Sequence, residues 1–404
     1  MLAGYLPQPR RARHVRLRHP ETGEDIDDAI ALWFPGPRSV TGEDVAELQV
    51  HGSRAVIAVL IAALGRMGLR LAEPGEFTRR AFFNDKLDLM QAEAIADLTA
   101  AETEAQRRQA LRQLDGELGA IYRGWSARLL RALAHFEAAI DFPDEDLPPE
   151  IEAGVLGETD RLLAEIAAHL ADGRRGERLR DGITIAIVGP PNAGKSSLLN
   201  QLAQREAAIT SPIAGTTRDV IEVAIDLAGY PVVLADTAGL RDSPDAIEQE
   251  GLRRALARAA AADLRLFVFD TQYPQDVEGA EAWPGGETLL VANKIDRGGD
   301  RSTLPRGAVA VSALTGEGIA NLIDTLGQRI AADYDGAAPL LTRARHRAAL
   351  EEARAALRRA RDAPLPELRA EDLRLAWRAL GRVTGQVDVE DLLDVIFADF
   401  CLGK

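Results

Sequence analysis

Apolar and polar positions follow three different rhythms along the chain. Up to residue 86 the pattern is mixed: Asp28–Phe34 and Ala46–Val50 are short apolar runs, Ser53–Gly65 has helical spacing, and Pro74-Gly75 breaks it. A small α+β unit is expected there. From Leu87 the spacing becomes helical, with Leu111, Leu114, Leu118 and Ile121, then Trp125, Leu129, Leu133, Phe136 and Ile140 each three or four apart on one face. Asp141-Phe142-Pro143-Asp144-Glu145-Asp146 ends that stretch with proline and charge. Between 182 and 333 short apolar runs alternate with helical segments: Ile183–Val188, Val220–Leu227, Val232–Ala235, Leu264–Phe269, Leu289–Ala292 and Ala308–Val311. This predicts a mostly parallel sheet covered on both faces. Helical spacing resumes through Ala344–Arg361, Leu373–Leu380 and Val389–Phe400. The expected architecture is multidomain: an α+β domain over 1–86, an α-helical bundle domain split between 87–181 and 334–404, and an α/β domain over 182–333 inserted into it.

Composition narrows this picture without changing it. The 404 residues are 46% hydrophobic and 27% charged, which excludes a disordered chain. With 63 acidic against 48 basic side chains the formal net charge is −15, so contact with an anionic polymer has to be local. Arg10, Arg11, Arg13, Arg16 and Arg18, and the later Arg343, Arg345, Arg347, Arg354, Arg358, Arg359 and Arg361, are open to two readings, contact with nucleic-acid phosphate, or a solvated helix face or intersubunit salt-bridge surface. A single cysteine, Cys401, excludes an internal disulfide and fits a reducing cytoplasm. The longest apolar stretch, Ala55–Leu64, is too short to span a bilayer, and the first residues lack a signal-peptide core.

Candidate chemistry sits in the α/β segment. Gly189-Pro-Pro-Asn-Ala-Gly194-Lys195-Ser196 lies between the strand run Ile183–Val188 and the helical run Ser197–Leu202, as a phosphate-binding loop requires. Its glycines let the N–H groups around Asn192, Ala193, Gly194, Lys195, Ser196 and Ser197 converge on phosphates at a helix N-terminus. Lys195 supplies a point charge between the β- and γ-phosphates, and the Ser196 hydroxyl can ligate Mg²⁺. Asp236-Thr237-Ala238-Gly239 follows the run Val232–Ala235, with a carboxylate for the Mg²⁺ water shell and a glycine N–H for the γ-phosphate. Asn293-Lys294-Ile295-Asp296 follows Leu289–Ala292, and the Asp296 carboxylate can accept both the N1–H and the 2-amino hydrogens of guanine, which selects GTP over ATP. Ser312-Ala313-Leu314 completes the base site through backbone N–H groups aimed at the guanine O6. Leu240 is apolar where many GTPases carry a water-orienting Gln, so the attacking water is positioned from elsewhere. The acidic stretch Asp242, Asp245, Glu248 and Glu250 is either its source or a solvated loop. Asn192 is either a plain loop residue or a ligand for a monovalent cation that spreads charge as an arginine would.

Ser211-Pro212-Ile213-Ala214-Gly215-Thr216-Thr217-Arg218-Asp219, Asp236–Arg241 and the terminal Phe400-Cys401-Leu402-Gly403-Lys404 together resemble the MnmE (TrmE) family of tRNA modification GTPases. The resemblance runs from Leu6 to Lys404 and includes Pro74-Gly75-Glu76-Phe77-Thr78 and Asn84-Asp85-Lys86-Leu87-Asp88. It implies a Ras-like P-loop G domain, a K⁺-stimulated GTPase, and a homodimer whose G domains meet across the nucleotides. By similarity Ser196 and Thr217 hold Mg²⁺, Asn192, Ser211, Ile213 and Thr216 hold K⁺, and Glu248 falls at the water-orienting glutamate. The family binds 5,10-methylene- or 5-formyl-tetrahydrofolate in its N-terminal domain, and Glu47, Lys86 and Lys404 match folate-contacting positions. With the flavoprotein MnmG, as a heterotetramer, it places an aminomethyl or carboxymethylaminomethyl group on C5 of the wobble uridine of certain tRNAs. Cys401 is a packed residue by its apolar neighbours Leu393, Ile396 and Phe400, or a nucleophile by its nearness to the folate site. Family members carry a first strand, a Gly-rich turn and an arginine ahead of the segment matching Leu6–Arg10, so an N-terminal domain lacking its first strand is expected. The Gly-Thr-Thr-Arg-Asp element is shared with Era- and Der-type ribosome-assembly GTPases, which makes a binding switch of that kind the alternative.

Overall fold

The computed structural model describes residues 6–141, 149–205, 222–236, 257, 259–283, 286–298, 302, 304–334 and 341–387. The helix expected over Val389–Phe400 lies outside them. The chain divides into two compact units, one of residues 1–96, 113–160 and 355–404, the other of residues 97–112 and 161–354.

In the first unit, β1 (Arg13–Arg18), β2 (Asp25–Phe34) and β3 (Val45–Gln49) form an antiparallel sheet in that order. Alternation decides its two faces. Val15, Leu17, Ala29 and Ala31 point into a core completed by Leu60 and Ala63 of α1 (Arg54–Arg66), while Arg16 on the other face pairs with Asp28 at 3.0 Å. Ser53 caps α1, its hydroxyl accepting from the Val56 N–H at 3.2 Å. Next come α2 (Glu76–Phe83) and α3 (Leu89–Ala100). The apolar stripe from Leu111 to Ile140 is cut into α4 (Glu104–Leu114), whose residues up to 112 belong to the second unit, and α5 (Glu117–Asp141) at Asp115–Gly116, where the Gly116 N–H turns back to the Gln113 carbonyl at 3.0 Å. Heptad spacing continues across the turn, which is why periodicity alone hides it. Tyr122, Trp125, Leu129 and Phe136 of α5 are buried, as are Leu373, Leu380 and Val383 of α11 (Pro366–Thr384), which packs on α5. Arg369 of α11 lies over the Phe136 ring at 5.3 Å.

The second unit holds α6 (Pro149–Leu170) in part, α7 (Arg175–Asp181) and a six-stranded sheet of order β5-β6-β4-β7-β8-β9. Its strands are β4 (Ile183–Val188), β5 (Glu222–Leu227), β6 (Tyr230–Asp236), β7 (Leu264–Asp270), β8 (Glu287–Asn293) and β9 (Val309–Ala310). All neighbours are parallel except β5 and β6. Those two join through the tight turn Ala228–Gly229, with the Gly229 N–H on Asp226 Oδ1 at 2.7 Å, so no helix can intervene. Every residue of β7 is buried because each face is covered: Leu264, Leu266 and Val268 enter one core, Phe267 and Phe269 the other. Helices α8 (Lys195–Arg205) and α9 (Ile319–Tyr334) pack on the first of these cores through Leu198, Leu202, Leu322 and Leu326. Helix α10 (Ala344–Asp362) follows.

Helix α2 begins on an acid held by two arginines. Glu76 accepts from Arg70 and Arg80, each at 2.7 Å, and from the Glu73 N–H at 2.9 Å. The two guanidiniums and then that N–H pull its pKa down to about 2. A depressed folded pKa contributes stability above the unfolded value near 4.5 and loses it as pH falls towards 2. Glu76→Gln is therefore expected to lower unfolding stability at pH 7 by about 1 kcal/mol, the exposure of both arginines keeping the effect small. In urea titrations at successive pH values, the difference from the parent should vanish between pH 4.5 and 2.

Candidate nucleotide site

Four loops meet at the carboxyl edge of the parallel strands, where ligands of open α/β sheets bind. The loop Gly189–Gly194 leaves β4 and enters α8 at Lys195. Gly189 has φ +136°, and a Cβ there would stand 2.1 Å from the Val268 carbonyl oxygen of β7. Gly194 has φ +95°, and its Cβ would stand 2.2 Å from Asn293 Nδ2. The loop can thus pass this close to β7 and β8 only as glycine. Asn192 sits at the left-handed φ of +61°. Lys195 is buried, its ammonium donating to the Gly189 and Pro190 carbonyls at 2.9 and 2.8 Å, which keeps the loop curved around the amine. Ser196 and Ser197 occupy the first turn of α8, where backbone N–H groups lack helical acceptors.

Asn293, 1% exposed at the end of β8, joins the phosphate loop to the base loop. Its Nδ2 donates to the Ala193 carbonyl at 2.8 Å and its Oδ1 accepts from the Ala313 N–H at 2.9 Å. Lys294, at φ +67°, donates to the Asn192 carbonyl at 2.5 Å and to Asp270 Oδ2 at 2.8 Å. Ile295 donates its N–H to the Val311 carbonyl at 3.2 Å. Asp296 is exposed, and the Ser312 hydroxyl donates to its Oδ1 at 2.5 Å, fixing the carboxylate plane. The Ser312 N–H goes to the Glu317 carbonyl at 2.8 Å, so it and the Ala313 N–H are engaged inside the fold, and Leu314 is the exposed member of the trio. Asp236 ends β6 opposite Ile187 of β4, which puts its backbone beside the phosphate loop.

Sequence inspection missed Asp270 and Thr271. Thr271 donates its N–H to the Asn293 carbonyl at 3.0 Å and its hydroxyl to the Lys294 carbonyl at 3.3 Å. Burial raises the Asp270 pKa, but the Gln272 N–H and Lys294 outweigh it and hold the group below the ordinary carboxylate range. The rule that singled out Asp236, a carboxylate at the carboxyl end of a parallel strand, points to Asp270 as well. In the first unit, Glu47 is exposed on β3, and Lys86 donates to the Pro37 carbonyl at 3.0 Å. Ser211, Pro212, Ile213, Ala214, Gly215, Thr216, Thr217, Thr237, Ala238, Gly239, Glu248, Cys401 and Lys404 lie outside the described residues, as does the side chain of Asp236. Among the described residues no helix is long and apolar enough to cross a membrane.

The sheet order, the glycine-limited loop and the Asn293–Asp296 corner define a P-loop nucleotide-binding domain of the guanine-selective class. Residues 89–401 match the model of the MnmE helical domain, and residues 2–86 that of the GTP-binding protein TrmE N-terminus. The tRNA modification GTPase MnmE of Rhodospirillum rubrum is 58% identical over 422 residues, covering 100% of this chain and 93% of that protein. Proteins of the same name from Parvibaculum lavamentivorans and Gluconacetobacter diazotrophicus are 58% and 53% identical, covering 98% and 100% of this chain and 91% and 92% of theirs. The chain belongs to the MnmE family. Likeness over the full chain, helical segments included, favours this over the Era- or Der-type alternative.

Because Gly194 abuts Asn293, Gly194→Ala is expected to push the amide off the loop and weaken GTP binding by roughly a hundredfold. Titration with a fluescent GTP analogue reads this directly, and unchanged affinity would refute the role given to the close approach.

Proposed function

We propose that this chain is a cytoplasmic GTPase that drives modification of the wobble uridine of certain tRNAs. The observation that carries the reading is the Asn293 amide, which ties the phosphate loop and the base loop into one preformed site. The chain's own groups divide the work. Backbone N–H groups from Asn192 to Ser197 and the Lys195 ammonium receive the phosphates and neutralise charge as the γ-phosphoryl departs. Asp296, its plane set by Ser312, takes the guanine N1–H and 2-amino hydrogens, and Ser312, Ala313 and Leu314 border the base. Asn293, Lys294 and Ile295 hold that corner, and the motifs Ser211 to Thr217 and Asp236 to Gly239 would supply the further phosphate contacts.

Hydroxyl and carboxylate oxygens are the donors a hard divalent ion prefers, and Ser196 in the first turn of α8 fits that chemistry. Ser196 and Thr217 would hold Mg²⁺, which when bound neutralises charge on the β- and γ-oxygens. Asn192, on the left-handed crest of its loop, would hold K⁺ with Ser211, Ile213 and Thr216. Glu248 would orient the attacking water in place of the apolar Leu240. Glu47, Lys86 and Lys404 would bind 5,10-methylene- or 5-formyl-tetrahydrofolate near Cys401, supplying the one-carbon unit. The chain would act as a homodimer with the flavoprotein MnmG to add an aminomethyl or carboxymethylaminomethyl group at C5. Family membership over the whole chain supports this assignment.

Two measurements test it. Nucleoside analysis of tRNA from a deletion strain should show loss of the modified wobble uridine, and normal levels would overturn the assignment. GTP turnover of the purified chain should be about tenfold or more faster in KCl than in NaCl, a rise typical of added charge stabilisation near the phosphates, and equal rates would remove the K⁺ site at Asn192.

A further inference from the structure

Asp270 ends β7 and belongs to none of the four motifs, yet its side chain is less exposed than that of the lysine it faces, 8% against 19%. A carboxylate this deep costs several kcal/mol to desolvate unless it is well partnered, so its placement calls for a reason. Its Oδ2 accepts from Lys294 Nζ at 2.8 Å, with Arg297 Nη1 at 3.8 Å, and its Oδ1 accepts from the Gln272 N–H at 3.0 Å. The same ammonium reaches the Asn192 carbonyl of the phosphate loop at 2.5 Å. Lys294 is thereby held at both its ends. Its backbone, in the left-handed region, is fastened by the Thr271 hydroxyl on its carbonyl, and its head is fastened between Asp270 and Asn192. A free lysine has four rotatable side-chain bonds and loses that freedom when a ligand packs on it, whereas one already anchored does not.

We propose that Asp270 is a positioning residue for the guanine site: it anchors the Lys294 ammonium against the phosphate loop, presets the lysine stem beside the base, and so raises nucleotide affinity without touching the nucleotide. This rests on reading Asn293–Asp296 as the guanine corner. Asp270 thereby adds a second carboxylate to that corner, with a task distinct from that of Asp296. Asp296 chooses the base, and Asp270 holds the wall beside it.

The test uses the full chain and a fluorescent GDP as probe. Asp270→Asn is expected to raise the GDP Kd about tenfold, with the loss in GTP turnover appearing in KM rather than kcat, and Asp270→Glu should recover part of it. In a double-mutant cycle, Asp270→Asn should add nothing once Lys294→Gln is present, because the carboxylate acts through that ammonium. An unchanged Kd in Asp270→Asn, or a further loss of the same size in the Lys294→Gln background, would overturn the proposal, the second outcome marking a purely structural role. Should Asp270→Asn not fold, Thr271→Val removes only the hydroxyl tie to the same lysine. A two- to threefold rise in Kd is then expected, and no change overturns the proposal. Asp296→Asn keeps the two readings apart: it should cost guanine affinity and favour xanthine nucleotides, whose 2-oxo group accepts a hydrogen bond where guanine donates. If it does not, the guanine corner itself is wrong. If it does while the Asp270 variants bind normally, only the positioning role fails.

Discussion

The nucleotide site depends on one buried side-chain amide. Asn293 has a single donor group and a single acceptor facing two loops, and only one orientation of the amide satisfies both the Ala193 carbonyl and the Ala313 N–H. Removing it would leave two backbone groups without partners where water does not reach, at a cost of roughly 1–3 kcal/mol each. The phosphate loop, the base loop and the end of β8 therefore share a common contact, which Lys294 on the Asn192 carbonyl reinforces. The glycine at 194 exists to let that amide approach, and the lysine and aspartate that follow Asn293 inherit their places from it.

The amino end of the same sheet is anchored by charge. The Asp263 backbone and side chain both bond Thr184 at the start of β4, at 2.9 Å in each case, and Arg178 of α7 reaches the same carboxylate at 2.6 Å. Burial pushes the Asp263 pKa up, so the arginine and the Thr184 N–H are what keep its charge tolerable. Helix α7 is in turn held from α10, where Arg347 bonds Asp172 at 2.7 Å, Glu177 at 2.6 Å and the Leu170 carbonyl at 3.0 Å. A further ion-pair cluster joins Arg180 and Arg343 to Asp97, at 2.9 and 2.7 Å. The strand that delivers the phosphate loop is thus fixed at its start by Asp263, and through α7 by Arg347 of α10, both far away in sequence.

Much of the fold was legible because its signals are local. The isoleucine-rich run between Gly182 and Gly189 marks β4, the apolar run Leu289–Ala292 marks β8, and the strand-then-loop setting of Gly189–Ser196 and Asn293–Asp296 places both at the same sheet edge. The break at Asp115–Gly116 was not legible, since the apolar stripe keeps its period across it. Nor was the antiparallel β5–β6 pair, because short apolar runs carry no mark of direction. Arg347, read from the sequence as either a phosphate ligand or part of a solvated face, is instead a buried clamp within its own unit. Side chains of one type look alike in a sequence, and burial distinguishes them.

Read linearly, the chain already states its chemical motifs: a phosphate-loop pattern, the Asn293–Asp296 element proposed to read guanine, and the motifs of a tRNA modification GTPase family. Those depend on residue identity at short spacing, which a linear chain states directly. Tertiary structure alone decided how the pieces are held. Asn293 reaches back a hundred residues to Ala193, and Asp270 reaches Lys294 across adjacent strands. Such contacts exist because parallel strands brought together by their apolar faces place their carboxyl ends side by side, and no local pattern records which ends will meet.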